Sequence, residues 1–283
     1  MPLYWAAYGT PGADRLLLLH GGPGAHHDYL LPQMLHLAEN YDLLFYDQRG
    51  GGRSKSDTSD HISASTHVTD LAAVIAEFSL GPPSIVGYSW GGMLALLYLI
   101  GTQRDAALPK PARLALIDPA PLKREYRRRF EAEFAARQNS PRITAMRDEL
   151  AASDLRQRDP DAYRQRTFEL AVAPYFADPA RAQDLTPFRV SARVLESVWD
   201  SLDAEYDITA DLPRAPCPTL FVHGRDDPIP VASSSEAAQV MHADLVVLDD
   251  CGHVPYVEQP GKLFAALDHF LAAVNSNETV NDV

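Results

Sequence analysis

The chain has 283 residues, 46% hydrophobic and 22% charged, which is the make-up of a globular protein with a sizeable core. Its formal net charge of −13 repels phosphate backbones, so nucleic acid is excluded as the expected partner and the charge reads as a solubilising surface. Two cysteines make no disulfide framework, no apolar run reaches the roughly 18–20 residues of a bilayer span, and Met1 to Trp5 carry no leader pattern, so a cytoplasmic protein without a membrane partner is expected.

In chain order, residues 15–20 contain four consecutive leucines and read as a buried strand. His20-Gly21-Gly22-Pro23-Gly24 follows. Glycines let a backbone approach a ligand closely, and Pro23 has no N–H to offer. Residues 42–46 read as a second buried strand, running into Asp47-Gln48-Arg49-Gly50-Gly51-Gly52-Arg53-Ser54. This loop lacks both G-K-[ST] and G-x-G-x-x-G, so it is read as structural, with Asp47 and Arg49 tying neighbouring loops together. Across 61–80, Val68, Leu71, Ala72, Ile75 and Phe78 recur at spacings of three and four, predicting a helix.

Residues 84–88 predict a strand and 93–99 a helix, and between them lies Gly87-Tyr88-Ser89-Trp90-Gly91. Strand, G-x-S-x-G and helix in that order form a nucleophile elbow, a turn tight enough to demand glycine two residues either side of the serine. The turn lifts the Ser89 hydroxyl above the sheet, where the following helix N-terminus favours developing negative charge. Residues 113–117 predict one more strand. From 119 to 213 strand signals stop, and charged helical stretches at 122–137, 143–155 and 161–170 are punctuated by prolines. Ten of the 25 Lys and Arg lie between Lys123 and Arg158, interleaved with acids, and read as a solvated helix face. Strands at 219–223 and 245–248 and helices at 231–240 and 262–274 resume the alternation, leaving a polar tail at 275–283.

The expected organisation is therefore an α/β core from 1–118 and 214–274, a mostly parallel sheet with helices on both faces, interrupted by a helical cap at 119–213.

A serine hydroxyl needs a base within hydrogen-bond reach. His253 follows the last predicted strand, between Gly252 and Val254-Pro255, in the loop position where open α/β sheets build their sites. Its other nitrogen needs an acceptor. Asp227 is the candidate, with Asp226 adjacent and Asp118 a third choice. Ser89, Asp227 and His253 occur in the Ser…Asp…His order of one hydrolase architecture. Two backbone N–H groups should hold an oxyanion, from Trp90 after the nucleophile and from Gly22 in the first loop. A Cys251–His253 pair is a weaker alternative, since no elbow surrounds Cys251. No H-E-x-x-H or paired C-x-x-C occurs, so neither metal nor cofactor is expected.

Together these residues resemble the α/β-hydrolase fold, and more narrowly the proline iminopeptidase branch of the S33 serine peptidases. His20 to Gly24 matches that branch's HGGPG string. Tyr46 to Ser54 matches YDQRGxGxS, Gly224-Arg225-Asp226-Asp227 its G-R-x-D, and Gly252-His253 its terminal G-H. The resemblance favours Asp227 over Asp226. It fades in the insertion and at Tyr88, where family members carry a second glycine. It implies a cap with acids that hold the substrate's free α-amine, for which Glu169, in Phe168-Glu169, and Glu196 are the counterparts. The expected activity is a serine hydrolase, foremost an aminopeptidase releasing N-terminal proline or a similar small residue from short peptides. A carboxylesterase or amide/lactone hydrolase of small molecules is the alternative, and a non-catalytic ligand receptor on the same scaffold the reading outside enzymes. Serine at the elbow, where epoxide hydrolases and haloalkane dehalogenases place aspartate, disfavours those chemistries.

Overall fold

A computed structural model describes residues 2–278. Among them seven strands form one sheet: β1 (Trp5–Gly9), β2 (Arg15–Leu19), β3 (Asp42–Tyr46), β4 (Ser84–Tyr88), β5 (Arg113–Ile117), β6 (Thr219–Gly224) and β7 (Asp244–Leu248). Their order is β1-β3-β2-β4-β5-β6-β7. β1 runs antiparallel to β3 and every other neighbouring pair is parallel. Parallel neighbours need crossovers. In chain order the helices are α1 (Ala64–Glu77) and α2 (Trp90–Arg104), then α3 (Arg124–Gln138), α4 (Pro141–Ala152), α5 (Pro160–Val172) and α6 (Ala192–Asp200) between β5 and β6, and finally α7 (Val231–Met241) and α8 (Pro260–Glu278). Among the described residues no helix is long and apolar enough to cross a membrane.

The inner strands are unbroken apolar runs because both of their faces are covered. Alternate residues serve alternate faces. Leu16, Leu18, Phe45, Val86, Ile117 and Val222 pack in one cluster, whereas Leu17, Leu19, Leu44, Ile85, Leu116 and Phe221 pack in the other. β1, absent from the sequence expectation, carries no such run. It is an edge strand whose residues alternate between exposed and half-buried, and Trp5 stays 52% exposed.

Helix boundaries move for local reasons. α1 starts at Ala64 because Ser63 caps it: the Ser63 hydroxyl accepts from Thr66 N–H at 3.1 Å while Thr66 Oγ1 accepts from Ser63 N–H at 2.9 Å. α8 continues to Glu278, so the expected tail at 275–283 is helical in its first four residues, and 279–283 lie outside the described residues. α6 has no counterpart in the sequence expectation.

The segment between β5 and β6 leaves and rejoins the core at one neck. Arg124 N–H donates to the Tyr206 carbonyl and Ile208 N–H to the Leu122 carbonyl, both at 2.9 Å. Its cations are largely consumed along the helices, as in Arg127–Glu131 at 2.6 Å and Arg137–Glu133 at 2.7 Å, which fits a solvated face rather than an anion-binding patch.

Asp47 ties neighbouring loops together, as expected, whereas Arg49 ties its loop to a helix. Asp47 Oδ1 accepts from both the backbone N–H and Nδ1 of His27, at 3.1 and 2.6 Å, and Oδ2 accepts from Arg53 N–H at 2.8 Å. Arg49 donates to Asp70 on α1 at 2.7 Å. Burial alone would raise the Asp47 carboxyl, but the His27 and Arg53 donors outweigh it and hold it well below the usual range. A depressed carboxyl stabilises the fold above its unfolded pKa of about 4, and that stabilisation is lost as pH falls through the folded value. Asp47→Asn is therefore expected to lower the melting temperature most near neutrality. The gap from the parent should shrink below about pH 4, and a gap that stays constant on acidification contradicts this.

Candidate active site

The site is built at the carboxyl ends of β4, β6 and β7. Ser89 joins β4 to α2 with φ 53° and ψ −117°, a conformation rarely taken by a residue with a side chain. Its backbone is fully used: Ser89 N–H donates to the Ile117 carbonyl at 2.9 Å, and its own carbonyl accepts from Gly92 and Ala120 at 3.0 and 2.9 Å. A Cβ at Gly87 would stand 2.6 Å from the Gly91 carbonyl oxygen, and one at Gly91 would collide with the Leu19 carbonyl, so the elbow admits only glycine at either position. The side chain of Ser89 stays half-buried, within reach of a ligand.

His253 and Asp227 arrive from the loops after β7 and β6. His253 Nε2 lies 3.0 Å from Ser89 Oγ, and Nδ1 lies 2.7 Å from Asp227 Oδ2. Asp227 Oδ1 also accepts from Ile229 N–H at 2.7 Å, which fixes the carboxylate plane. This network assigns the imidazole its tautomer: Nδ1–H donates to Asp227, leaving Nε2 to accept from the serine hydroxyl. The His253 backbone is gripped on both sides. Its N–H donates to the Tyr175 carbonyl at 2.7 Å, and its carbonyl accepts from the Tyr88 hydroxyl at 2.9 Å. The Tyr175 ring stacks on the imidazole with centroids 5.1 Å apart, and the Tyr88 ring leans on it at 5.4 Å.

Burial disfavours both charges. It pushes His253 down to about 4, so the resting imidazole is neutral near pH 7, and it raises the Asp227 carboxyl, against which hydrogen bonding from Asp118 and from Ile229 N–H favours the ionised form. Asp118, fully buried beside Asp227, is raised well above the ordinary value, first by burial and then by the charge of Asp227. Two adjacent buried carboxyls do not both ionise, so Asp118 keeps its proton and Asp227 faces the imidazole. An imidazolium forming on His253 then meets a carboxylate in a site of low dielectric, where the attraction is strong.

Of the three acids weighed from sequence, the structure puts Asp227 on His253. Asp226 is exposed, and Asp118 instead accepts from Gly224 N–H at 2.7 Å. Asp118, His223 and Asp227 cluster closely enough to suggest a cation site. The donors do not suit one, because His223 Nε2–H donates to the Ile229 carbonyl and Nδ1 accepts from Ser234, at 3.0 and 2.8 Å. Cys251 is buried, its thiol pushed up by that burial, and it is no nucleophile.

The glycine loop reaches the serine directly: a Cβ at Gly21 would stand 2.8 Å from Ser89 Cβ. Gly21 N–H is spent on the Tyr29 hydroxyl at 2.9 Å and Pro23 has none, which leaves Gly22, between them, as the candidate donor of this loop. Trp90 presents its backbone at the first turn of α2, while its side chain is buried and donates to Gln48 Oε1 at 2.8 Å. Gln48 in turn donates through Nε2 to the His20 carbonyl at 2.8 Å. The loop after β3 thereby locks the glycine loop to α2, the helix that follows Ser89.

The two acids expected to hold an amine are placed otherwise. Glu169 is buried on α5, but Arg166 and Gln165 of the same helix hold its carboxylate at 2.6 and 3.0 Å. It lines a cavity with Met146, Leu150 and Leu155 that includes no residue of the Ser89 site. Glu196 is exposed on α6. A larger cavity of about 950 Å³ lies beside Gly24 under Phe168, Phe188 and Val190. Its acids are also engaged, Asp28 with Arg53 and Asp161 with Arg164.

Sequence reasoning missed Tyr29, Tyr88, Tyr175 and Glu258 as parts of this site. In the sequence Tyr88 stands out only as a departure from a glycine, yet it carries the hydroxyl that fixes His253. The others lie outside the motif strings and meet backbone groups, which leave no pattern of their own. Tyr88→Phe keeps the ring and strands the buried His253 carbonyl. It is expected to cost about 1–3 kcal/mol of stability and several-fold in kcat, read by melting and steady-state rates. Parent values for both contradict the grip.

A serine elbow, an acid and a histidine at the carboxyl edge of a mostly parallel sheet define the α/β-hydrolase class. The chain belongs to the Alpha/beta hydrolase family, which matches residues 16–267. It is 28% identical to a proline iminopeptidase of Levilactobacillus brevis over 91% of this chain and 88% of the relative. Among solved structures it resembles a proline iminopeptidase-related protein from Thermus thermophilus, with TM-score 0.72 and 20% identity over 96% of this chain and 94% of that one. It also resembles a carboxylesterase from Nitrososphaera gargenis, with TM-score 0.68 and 19% identity over 97% and 96%.

Proposed function

We propose that this protein is a serine hydrolase working through an acyl-enzyme, with short peptides bearing N-terminal proline or a similar small residue as its leading substrates. The observation that carries the chemistry is the unbroken chain of contacts from Ser89 Oγ through His253 to Asp227, at 3.0 and 2.7 Å. Ser89 attacks the carbonyl as His253 Nε2 takes its proton, and Asp227 stabilises the imidazolium. The N–H groups of Gly22 and Trp90 receive the oxyanion. His253 then protonates the leaving amine, and water repeats the sequence on the ester of Ser89. The helices between β5 and β6 cap the site and restrict it to short substrates, and the residues on either side of them form the core. Short chains, not membranes or nucleic acids, are the partners this reading assigns.

The peptide preference is supported by the proline iminopeptidase relatives. A second reading, hydrolysis of small esters or amides with no free amine, is favoured by a specific observation: Glu169 is paired and Glu196 is exposed. Proline p-nitroanilide, its N-acylated analogue and short p-nitrophenyl esters separate the two. The peptidase reading expects kcat/KM to be highest for the free amine, and higher rates for the blocked or ester substrates overturn it. Ser89→Ala is expected to lower kcat by roughly four to six orders of magnitude with the fold intact. Undiminished turnover in that variant removes the serine mechanism, whereas a parent chain that turns over none of these substrates and fails to label at Ser89 with a fluorophosphonate revives a receptor role.

A further inference from the structure

Glu258 ends the short helix Pro255–Glu258 and is 9% exposed. Burying a carboxylate is costly unless donors satisfy it. Here the donors are three backbone N–H groups from two separate parts of the chain. Oε2 accepts from Gly252 N–H at 2.7 Å, the residue immediately before the proposed base. Oε1 accepts from Ala177 and Asp178 N–H at 2.9 and 3.3 Å, in the turn that follows α5. The same turn supplies the Tyr175 carbonyl that receives His253 N–H at 2.7 Å and the Tyr175 ring that stacks on the imidazole. One side chain therefore spans the loop carrying the imidazole and the inserted segment above it. An apolar residue would fill the volume without joining the two.

We propose that Glu258 is a positioning residue for His253: it clasps the histidine loop to the 175–178 turn, so that seating the inserted segment and aligning the imidazole on Ser89 are one event. The proposal rests on the serine hydrolase reading. It makes the insertion a part of the base's support as well as a cover, and any displacement of residues 175–178 would shift the imidazole from the serine. Misplacement on the order of 1 Å costs up to about a hundredfold in rate.

E258Q keeps the volume but turns one oxygen into a donor, which faces a backbone N–H. Its rate of phosphonylation by a fluorophosphonate and its kcat, measured well below the melting temperature, are each expected to fall about tenfold, with KM within about twofold of the parent. Amide exchange is expected to rise together in 249–254 and 173–180. E258D keeps the charge and shortens the reach by one methylene, and is expected to lose rate in the same way. Parent rates of phosphonylation and turnover in either folded variant overturn the role of Glu258, as does a loss confined to melting temperature. A parent chain that fails to label at Ser89 overturns the hydrolase reading, and this inference with it, so the two failures are told apart.

Discussion

The backbone of Ser89 is the constraint on which the site depends. A residue with a side chain at φ 53° carries a strain of about 1–3 kcal/mol, and the surrounding structure must over-determine it. It does so with bonds from the end of β5 and the residues just beyond it. Ile117 at the end of β5 receives the Ser89 N–H, and Ala120 just beyond β5 donates to its carbonyl. Gly87 and Gly91 allow β4, β2 and α2 to close around the turn with no side chain between them. The sheet thus supplies the clamp and the glycines the clearance. The hydroxyl is left projecting at the one point where loops from β2, β6 and β7 also end.

Electrostatics follow from the same crowding. The acid and the imidazole are almost wholly buried, His253 5% and Asp227 6% exposed, and burial resists charge on each. The resting site consequently holds an uncharged imidazole and a single negative charge for its two acids, Asp118 and Asp227. In the proposed reaction, charge separation is favoured when the serine proton moves, because the fixed dipoles need no rearrangement at that moment. The tyrosines add rigidity. Tyr88 and Tyr175 hold the backbone on both sides of the ring, so the imidazole is aimed by main-chain bonds as well as by Asp227.

How far the sequence reveals this depends on the kind of signal. Elements buried on both faces, such as β2 with its four leucines, announce themselves as apolar runs. The elbow is legible because sterics force glycine at fixed offsets. Asp227 could be separated from Asp226 only by resemblance, since two adjacent aspartates look alike until one is buried. β1 is silent because an edge strand needs no continuous apolar face. The inserted helices are charged all along, so their contacts with the site, through Tyr175, Ala177 and Phe188, are invisible in one dimension. Glu169 reads as an amine ligand from its neighbour Phe168, yet Arg166 one turn away takes its carboxylate. Such pairing between neighbours along one helix is set by spacing in three dimensions and does not show in a motif.

The central claim is that Ser89 carries the acyl group during turnover. Acid quenching during hydrolysis of p-nitrophenyl acetate, followed by intact-mass measurement and peptide mapping, tests it directly. The account predicts one acetyl group per chain, on the peptide containing Ser89. Steady turnover with no acetylated chain at any quench time, or acetyl found on a different side chain, would contradict it.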